Sequence, residues 1–440
     1  MEWFSQLTRI VGEPNASREP ERLSSHFGKE VKTSGLIALA VGSTEEVQKI
    51  VQVCHGSGTP IFTTYDTCFP EEVATRQGVL LDFTRMNRIE RIDSRNLCVH
   101  IQRGVTFEQL EAALEPEGLT ALHPAAGSTR SVVCHAVARG MYLSAAKYPE
   151  VQAANLQVVL QDGSIHRTGS HANSEDMSDW KEDGGPNLSK WYLGADDIFG
   201  IVVRGSIWVY PRFEGRHFCA FGFREQAPAL RLLKEVARKE LPQECLVTSR
   251  SSFARTFGLS QDGLPPWVLV GGVEAFPELA GYQHRKIREA AEREGGSALD
   301  EERTASIGSR LKKPWYIRPH NQTAFHTLFS RIPEFDSILH QAADHAALPE
   351  DRIGRTYIAH GLGRSVWCHY DTGDLSDGQV WLADLESRLA AAGAFYDRPQ
   401  GRLAEQIYGT VPAVVQHIRK IKDLMDERRI FNPGRPVEEV

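Results

Sequence analysis

Several chemistries are missing from this 440-residue chain before anything positive is read from it. The seven cysteines (Cys54, Cys68, Cys98, Cys134, Cys219, Cys245 and Cys368) are dispersed, odd in number and never spaced as CxxC. That excludes the usual iron–sulfur and structural zinc spacings and leaves reduced thiols as the plain reading. No Gly-x-Gly-x-x-Gly, nucleotide-triphosphate loop or Gly-x-Ser-x-Gly elbow occurs, so nothing points to kinase or hydrolase chemistry. Apolar residues never run to the length of about 18 that a membrane span needs, and the start lacks the basic-then-apolar order of a signal peptide. Basic residues do not outnumber acidic ones: 50 against 57 gives a net charge of −7, which argues against nucleic acid as a partner. A cytoplasmic protein with no membrane span is expected.

What is there reads as α+β. The length suggests two domains. "GLIALAV" is a strand, and "STEEVQKIVQVCHGSG" is a helix capped by Ser43 or Thr44, with Val47, Ile50, Val51 and Cys54 on one buried face. Strands follow at "GVLLDF", "LCVHIQRG" and "QVVLQDGSIHRTG", the last a hairpin on Asp162-Gly163. "TFEQLEAALEPEG" is a short helix stopped near Pro116, and "FGIVVRGSIWVYPRF" returns to strand. From about residue 216 the order becomes strand, helix, strand, helix, which predicts an antiparallel sheet covered by helices on one face. "HTLF" and "DHAAL" read as helix, and the tail "VVQHIRKIKDLMDERRIFNPGRP" as one long helix stopped by Asn432-Pro433-Gly434.

The order of these pieces resembles the FAD-linked oxidases of the vanillyl-alcohol-oxidase and p-cresol methylhydroxylase type, nearest to their glycolate oxidase and D-lactate dehydrogenase branch. The resemblance is carried by "STEEVQKIVQVCHGSGTPI", "GVLLDFTRMNRIERIDSRNLCVHIQRGVTFEQLEAAL", "NLQVVLQDGSIHRTG", "WYLGADDIFGIVVRGSIWVYP" and "IKDLMDERRIFNPGRP". It implies a two-subdomain FAD-binding domain over residues 1–215, completed by 405–440, and a cap domain over 216–404 with an antiparallel sheet. It also implies FAD as cofactor, a small-molecule substrate held between the two parts, and hydride transfer from a small hydroxy acid or related alcohol. Electrons would then leave to an external acceptor or a partner subunit, in a homo- or hetero-oligomer.

Three loops depart from the family pattern. "PIFTTYDTCFP" replaces a glycine-rich diphosphate turn with Thr63, Thr64, Tyr65, Asp66 and Thr67. Glycine is favoured there because backbone amides must approach closely. A carboxylate at Asp66 would repel a diphosphate by about 1 kcal/mol at 4 Å in water. The second flavin-facing stretch keeps Pro124, Gly127, Ser128 and Thr129 but has Val133-Cys134-His135 for Gly-Gly-Asn. In "LGADDIFGIV" the family Glu-Gly has become Asp196-Asp197, while Gly200, Ile201 and Val202 keep their frame. Two readings follow: FAD bound through rebuilt loops, or a cofactor-free, non-catalytic subunit that keeps the fold for assembly. Tyr65, Cys134 and His135 stand where some relatives attach flavin covalently; the plain alternative for Cys134 is a small buried hydrophobe.

In the cap, "YIAHGLGRSVWCHYD" is similar to the family's histidine-rich motif, but Trp367 stands where a second histidine belongs, so no metal is expected. His360 and His369 are candidate bases. Arg318, in a Trp-x-x-Arg context, is the candidate clamp for a substrate carboxylate, and Tyr357 would orient a phenol.

Overall fold

The computed structural model describes residues 2–19, 23, 35–63, 76–122, 124, 131–138, 140, 153–173, 186–311, 322–373, 378–396, 399 and 401–434. Thr64, Tyr65, Asp66, Thr67, Gly127, Ser128, Thr129 and Arg318 lie outside those residues. Among the described residues, no helix is long and apolar enough to cross a membrane.

Among the described residues the N-terminal half holds two small sheets and a two-stranded ribbon of Leu119–Thr120 and Tyr210–Pro211. In the first, Leu36–Ala40, Gly78–Asp82 and Ile61–Thr63 run parallel, with Ala16–Ser17 added antiparallel at one edge. The helix Thr44–Ser57 begins where sequence placed it, with Ser43 Oγ accepting from Glu46 N at 3.2 Å. It buries Val47, Ile50, Val51 and Cys54 against Ile37, Leu39, Val79 and Leu81. Each fully buried aliphatic contributes roughly 1.5–3 kcal/mol. The second sheet is antiparallel, in the order Ile89–Asp93, Cys98–Gln102, Ile201–Trp208, Ala153–Val159, Ile165–Arg167. Its last two strands form the expected hairpin, with Gly163 at a φ of 81°. The helix Phe107–Leu114 carries a full capping box between Thr106 and Gln109.

From Gly215 onward the chain builds one seven-stranded antiparallel sheet. Its order is Ser297–Ala298, Gly215–Phe223, Trp267–Ala275, Glu244–Ser249, Gly354–His360, Ser365–Asp371, Gln322–Thr327. One face packs Phe221, Leu269, Val247, Tyr357, Cys368 and Phe325 under the helices Gln226–Arg238, Pro277–Arg293, Ile332–His345 and Gly378–Ala391. Sequence predicted helices on that one face only. The other face also carries two, Arg250–Phe257 and Glu301–Leu311, with Phe253, Phe257 and Ile307 over Leu246, Val270, Ile358 and Trp367. The segment "HTLF" is corrected too. His326 and Thr327 end an edge strand, where alternation buries Thr323, Phe325 and Thr327.

The tail departs from its expectation. Its helix covers Pro412–Met425 and stops at Asp426, seven residues before Pro433. Asp426 is fully buried and accepts from the backbone N–H groups of Ile430 and Phe431 and from Lys422 Nζ. Its carboxylate thus caps the turn that a continuing helix would have occupied. The tail joins both N-terminal cores: Ile418, Ile421 and Met425 pack on one, Ile430 and Phe431 on the other.

Candidate cofactor and substrate site

Parallel strands place ligands outside their carboxyl ends. Thr63 is the last residue of such a strand, and three buried groups hold it. Its N–H donates to Asn432 Oδ1 at 3.0 Å, Asn432 Nδ2 donates to Thr63 Oγ1 at 2.9 Å, and Thr63 Oγ1 donates to Asp197 Oδ2 at 2.8 Å. Asn432 Nδ2 also donates to the Asp196 carbonyl at 2.7 Å. Thr63 therefore fixes the start of the loop that follows rather than offering its hydroxyl to a ligand.

The Asp-Asp pair has a structural explanation. Asp196 and Asp197 both adopt the left-handed backbone conformation, at φ of 52° and 57°, where a family glycine would be at ease. Asp197 turns inward: Arg103 Nη2 donates to its Oδ2 at 2.6 Å and Val202 N to its Oδ1 at 3.1 Å, in a pair with no solvent exposure. Arg103 Nη1 reaches the Val202 carbonyl at 2.7 Å, and its guanidinium lies over the Phe83 ring. The charge of Asp197 is thus neutralised inside the fold. Among the described residues Asp197 therefore presents no free carboxylate at this end of the sheet, and its pairing with Arg103 leaves the strand end at Thr63 compatible with an anionic cofactor group.

Other predicted cofactor residues are supporting rather than lining. Ile201 and Val202 have fully buried side chains in two different cores, and a Cβ on Gly200 would lie 2.8 Å from Val158. Cys134 and His135 sit in the buried helix Val132–Val137. Cys134 N donates to Ser131 Oγ, and the His135 ring packs edge-on to Phe107 and against Gly140. Both side chains are closed off from solvent, at 3% and 1% exposure. Pro124 is also buried. The stretch leading to it is anchored by Glu111, whose Oε1 accepts from Ala121 N at 2.8 Å and from Thr120 Oγ1 at 3.1 Å.

The cap candidates separate by sheet face. Thr356 pairs with His369 and His360 with Ser365, so both histidines project from the face that carries Ile358 and Trp367. Tyr357 projects from the opposite face, which corrects its assignment to a substrate phenol. Its hydroxyl and that of Tyr370 each donate to Asp336 Oδ1 at 2.7 Å, with Gln226 Nε2 on Asp336 Oδ2. Burial pushes both tyrosines well above their ordinary pKa.

His369 is corrected as well. It is fully buried, bonded at 2.5 Å to Gln322 Oε1 and stacked on Trp367. Burial holds its imidazole below the ordinary histidine range, against the opposing pull of Asp371. Asp371 is itself occupied by Arg255, by Ser252 Oγ at 3.1 Å and by Gly373 N at 3.2 Å. His369 therefore braces the sheet. His360 stays at the strand end, 5.3 Å from the His326 ring and within 3.4 Å of Ser365 Oγ.

One residue that sequence missed shares this face. Glu244 pairs with Gly272, and a Cβ at Gly272 would fall 3.1 Å from Glu244 Oε2 and 3.3 Å from Phe218. The absent side chain leaves room for the carboxyl. The register that sets Leu246 opposite Ile358 carries Glu244 toward His360 in the neighbouring strand. Glu244 Oε2 is buried with no hydrogen-bond partner among the described residues. Burial pushes the carboxyl up to about 7, with Arg216 pulling down and Glu274 and Glu111 pushing up. A strand that sequence had not recognised hides the signal, since its alternation decides which way residue 244 faces.

Residues 36–169 match the family model described as FAD binding domain. Over 273 residues the chain is 28% identical to 1'-carboxy-chondrochloren decarboxylase of Chondromyces crocatus, covering 59% of this chain and 49% of that protein. It is 25% identical to D-lactate dehydrogenase of Archaeoglobus fulgidus over 249 residues, covering 55% and 54%. The chain thus spans about half the length of these curated relatives. The structure of p-cresol methylhydroxylase with substrate bound superposes with a TM-score of 0.84 at 18% identity, covering 99% of this chain and 96% of that one.

Proposed function

We infer, from a chain that carries an FAD binding domain of the p-cresol methylhydroxylase type, that it works as an FAD-dependent oxidoreductase. Its substrate is a small hydroxy acid or related alcohol, and its electrons pass to an external acceptor or a partner subunit. The observation that supports this most is the match of residues 36–169 to the FAD binding domain, which takes in Thr63 and Arg103. The cofactor-free alternative is not favoured on the same ground.

When bound, FAD supplies a two-electron acceptor for a hydride leaving a substrate carbon. The chain's own residues do the rest. Asn432 and Asp197 hold Thr63 and fix the entry to the cofactor loop. Glu111 fixes the start of the stretch that runs to Pro124. Gly127, Ser128 and Thr129, with Thr64, Tyr65, Asp66 and Thr67, complete the cofactor contacts in this reading. Arg318 clamps an acidic group of the substrate, and the hydroxyl proton is taken up at the corner of the cap sheet that carries His360.

The test is a visible spectrum. The purified chain, alone or after addition of FAD, is expected to show flavin bands at about 370 and 450 nm that bleach under anaerobic D-lactate or p-cresol. A chain that stays colourless with added FAD sinks the reading.

A further inference from the structure

We propose that Glu244 is the proton acceptor of the oxidation, taking the substrate's hydroxyl proton at Oε2. This rests on the oxidoreductase reading above and adds the group that reading lacks. Neither histidine of the motif is sufficient alone: His369 is sealed behind Trp367 and Gln322, and His360 stands at the strand end beside His326.

Three observations converge on Glu244. It projects from the same sheet face as His360, one strand away. Gly272 leaves the space that its carboxyl occupies. Among the described residues its Oε2 is buried yet makes no hydrogen bond, although a buried acceptor is ordinarily satisfied. A substrate hydroxyl would supply the missing donor.

The surroundings set the charge state. Glu274 approaches Glu244 from the neighbouring strand and Arg216 from the strand beyond it; Arg216 and Glu274 lie 3.7 Å apart, so the arginine is partly claimed. Glu111 faces it from the N-terminal half, already engaged by Arg212 and Ala121. His360 lies on the same sheet face in the strand on the other side. Two carboxylates and burial outweigh one shared arginine, so the carboxyl exchanges its proton near neutral pH, where a general base works best.

The step balances. The substrate O–H bond breaks and its proton goes to Glu244 Oε2. A C=O bond forms as the carbon gives up its hydride to the two-electron acceptor named above. The proton then leaves to water with the product.

The experiment uses the FAD-loaded chain, with D-lactate and p-cresol as probes, and follows anaerobic flavin reduction from pH 5 to 9. A companion measurement takes thermal midpoints of the cofactor-free chain over the same range. In the native protein the rate is expected to climb about tenfold per pH unit and level off near pH 7. Glu244→Gln is expected to lose about 100-fold and to have a flat profile. Glu244→Asp keeps an inflection at reduced rate. The thermal midpoints of Glu244→Gln are expected to come nearest the native protein's at pH 5 and to exceed them most from pH 7 upward, a readout that needs neither FAD nor substrate. A native-like rate and inflection in Glu244→Gln overturns the proposal. Reduction by neither probe also overturns it, because the proton is assigned to a hydroxyl of those classes, yet leaves FAD binding standing. A chain that takes up no FAD instead removes the reading beneath it, and the thermal series still reports whether Glu244 titrates.

Discussion

Arg103 and Asp197 form an ion pair with neither side chain exposed, the guanidinium nitrogen 2.6 Å from Oδ2 and 94 residues away in sequence. Removing one partner of such a pair strands the other charge in a low-dielectric interior. Asp197→Ala is therefore expected to destabilise the fold by about 3–5 kcal/mol, read as a shift in the urea midpoint. Asp197→Asn keeps an acceptor for Arg103 and is expected to cost less.

Asn432→Ala removes three buried hydrogen bonds at once, two to Thr63 and one to the Asp196 carbonyl. The expected loss is about 2–4 kcal/mol. FAD affinity, measured by fluorescence titration, should weaken as well, because the strand end that feeds the cofactor loop is no longer held.

Glu244 gives a pH signature in stability. Its folded pKa of about 7 lies above the ordinary 4.5, so the native state keeps a proton that the unfolded chain releases in between. Stability therefore falls as pH rises from 4.5 to 7 and stays lowered above that window. At about 1.4 kcal/mol per unit, the whole span is worth no more than about 3.5 kcal/mol. Glu244→Gln should be more stable than the native protein at pH 8 by up to that amount, and equal to it below pH 4.5. Denaturant titrations at the two pH values check the sign.

A methyl group at residue 104 has nowhere to go: a Cβ there would lie 2.0 Å from the Phe83 carbonyl and 2.8 Å from that of Met86. Both are backbone atoms in the wall of the cofactor half. Gly104→Ala is expected to cost about 3 kcal/mol. Gly56→Ala, on a helix with open space around it, should instead gain about 0.5–1 kcal/mol. Calorimetry on the pair checks both directions.

Tyr357→Phe separates a structural hydroxyl from a catalytic one. It removes one donor to Asp336 and should cost about 1–2 kcal/mol in stability. The KM and kcat for p-cresol should stay near native values, because the side chain points under the helices and away from His360.

The N-terminal half was legible because its signals are local. Ser43 caps its helix three residues before an acceptor-seeking amide, and the hairpin at Asp162-Gly163 closes within the five residues between Val159 and Ile165. The cap was less legible because its signals are not. Glu244–Ser249 is a short strand that carries a cysteine, a threonine and a serine, and it pairs with residues more than 100 positions away at Gly354–His360. Without that pairing nothing says that Glu244 shares a face with His360, or that Tyr357 does not. The role of Asp197 was hidden for the same reason. Nothing local to Asp196-Asp197 shows that Arg103, 94 residues upstream, holds the second carboxylate.

Lys422 is buried, with its ammonium donating to the carbonyls of Ile198 and Phe431 and to Asp426, while Ile430 and Phe431 complete the core around Val79 and Leu81. The N-terminal half is thus sealed by a segment that is synthesised only after the whole cap sheet. During translation the parallel sheet must wait, with its apolar floor uncovered, until residues 412–434 have emerged from the ribosome. Truncations within that segment should consequently appear as insoluble nascent product or chaperone-bound chain, even where every residue of the cofactor loops has been made.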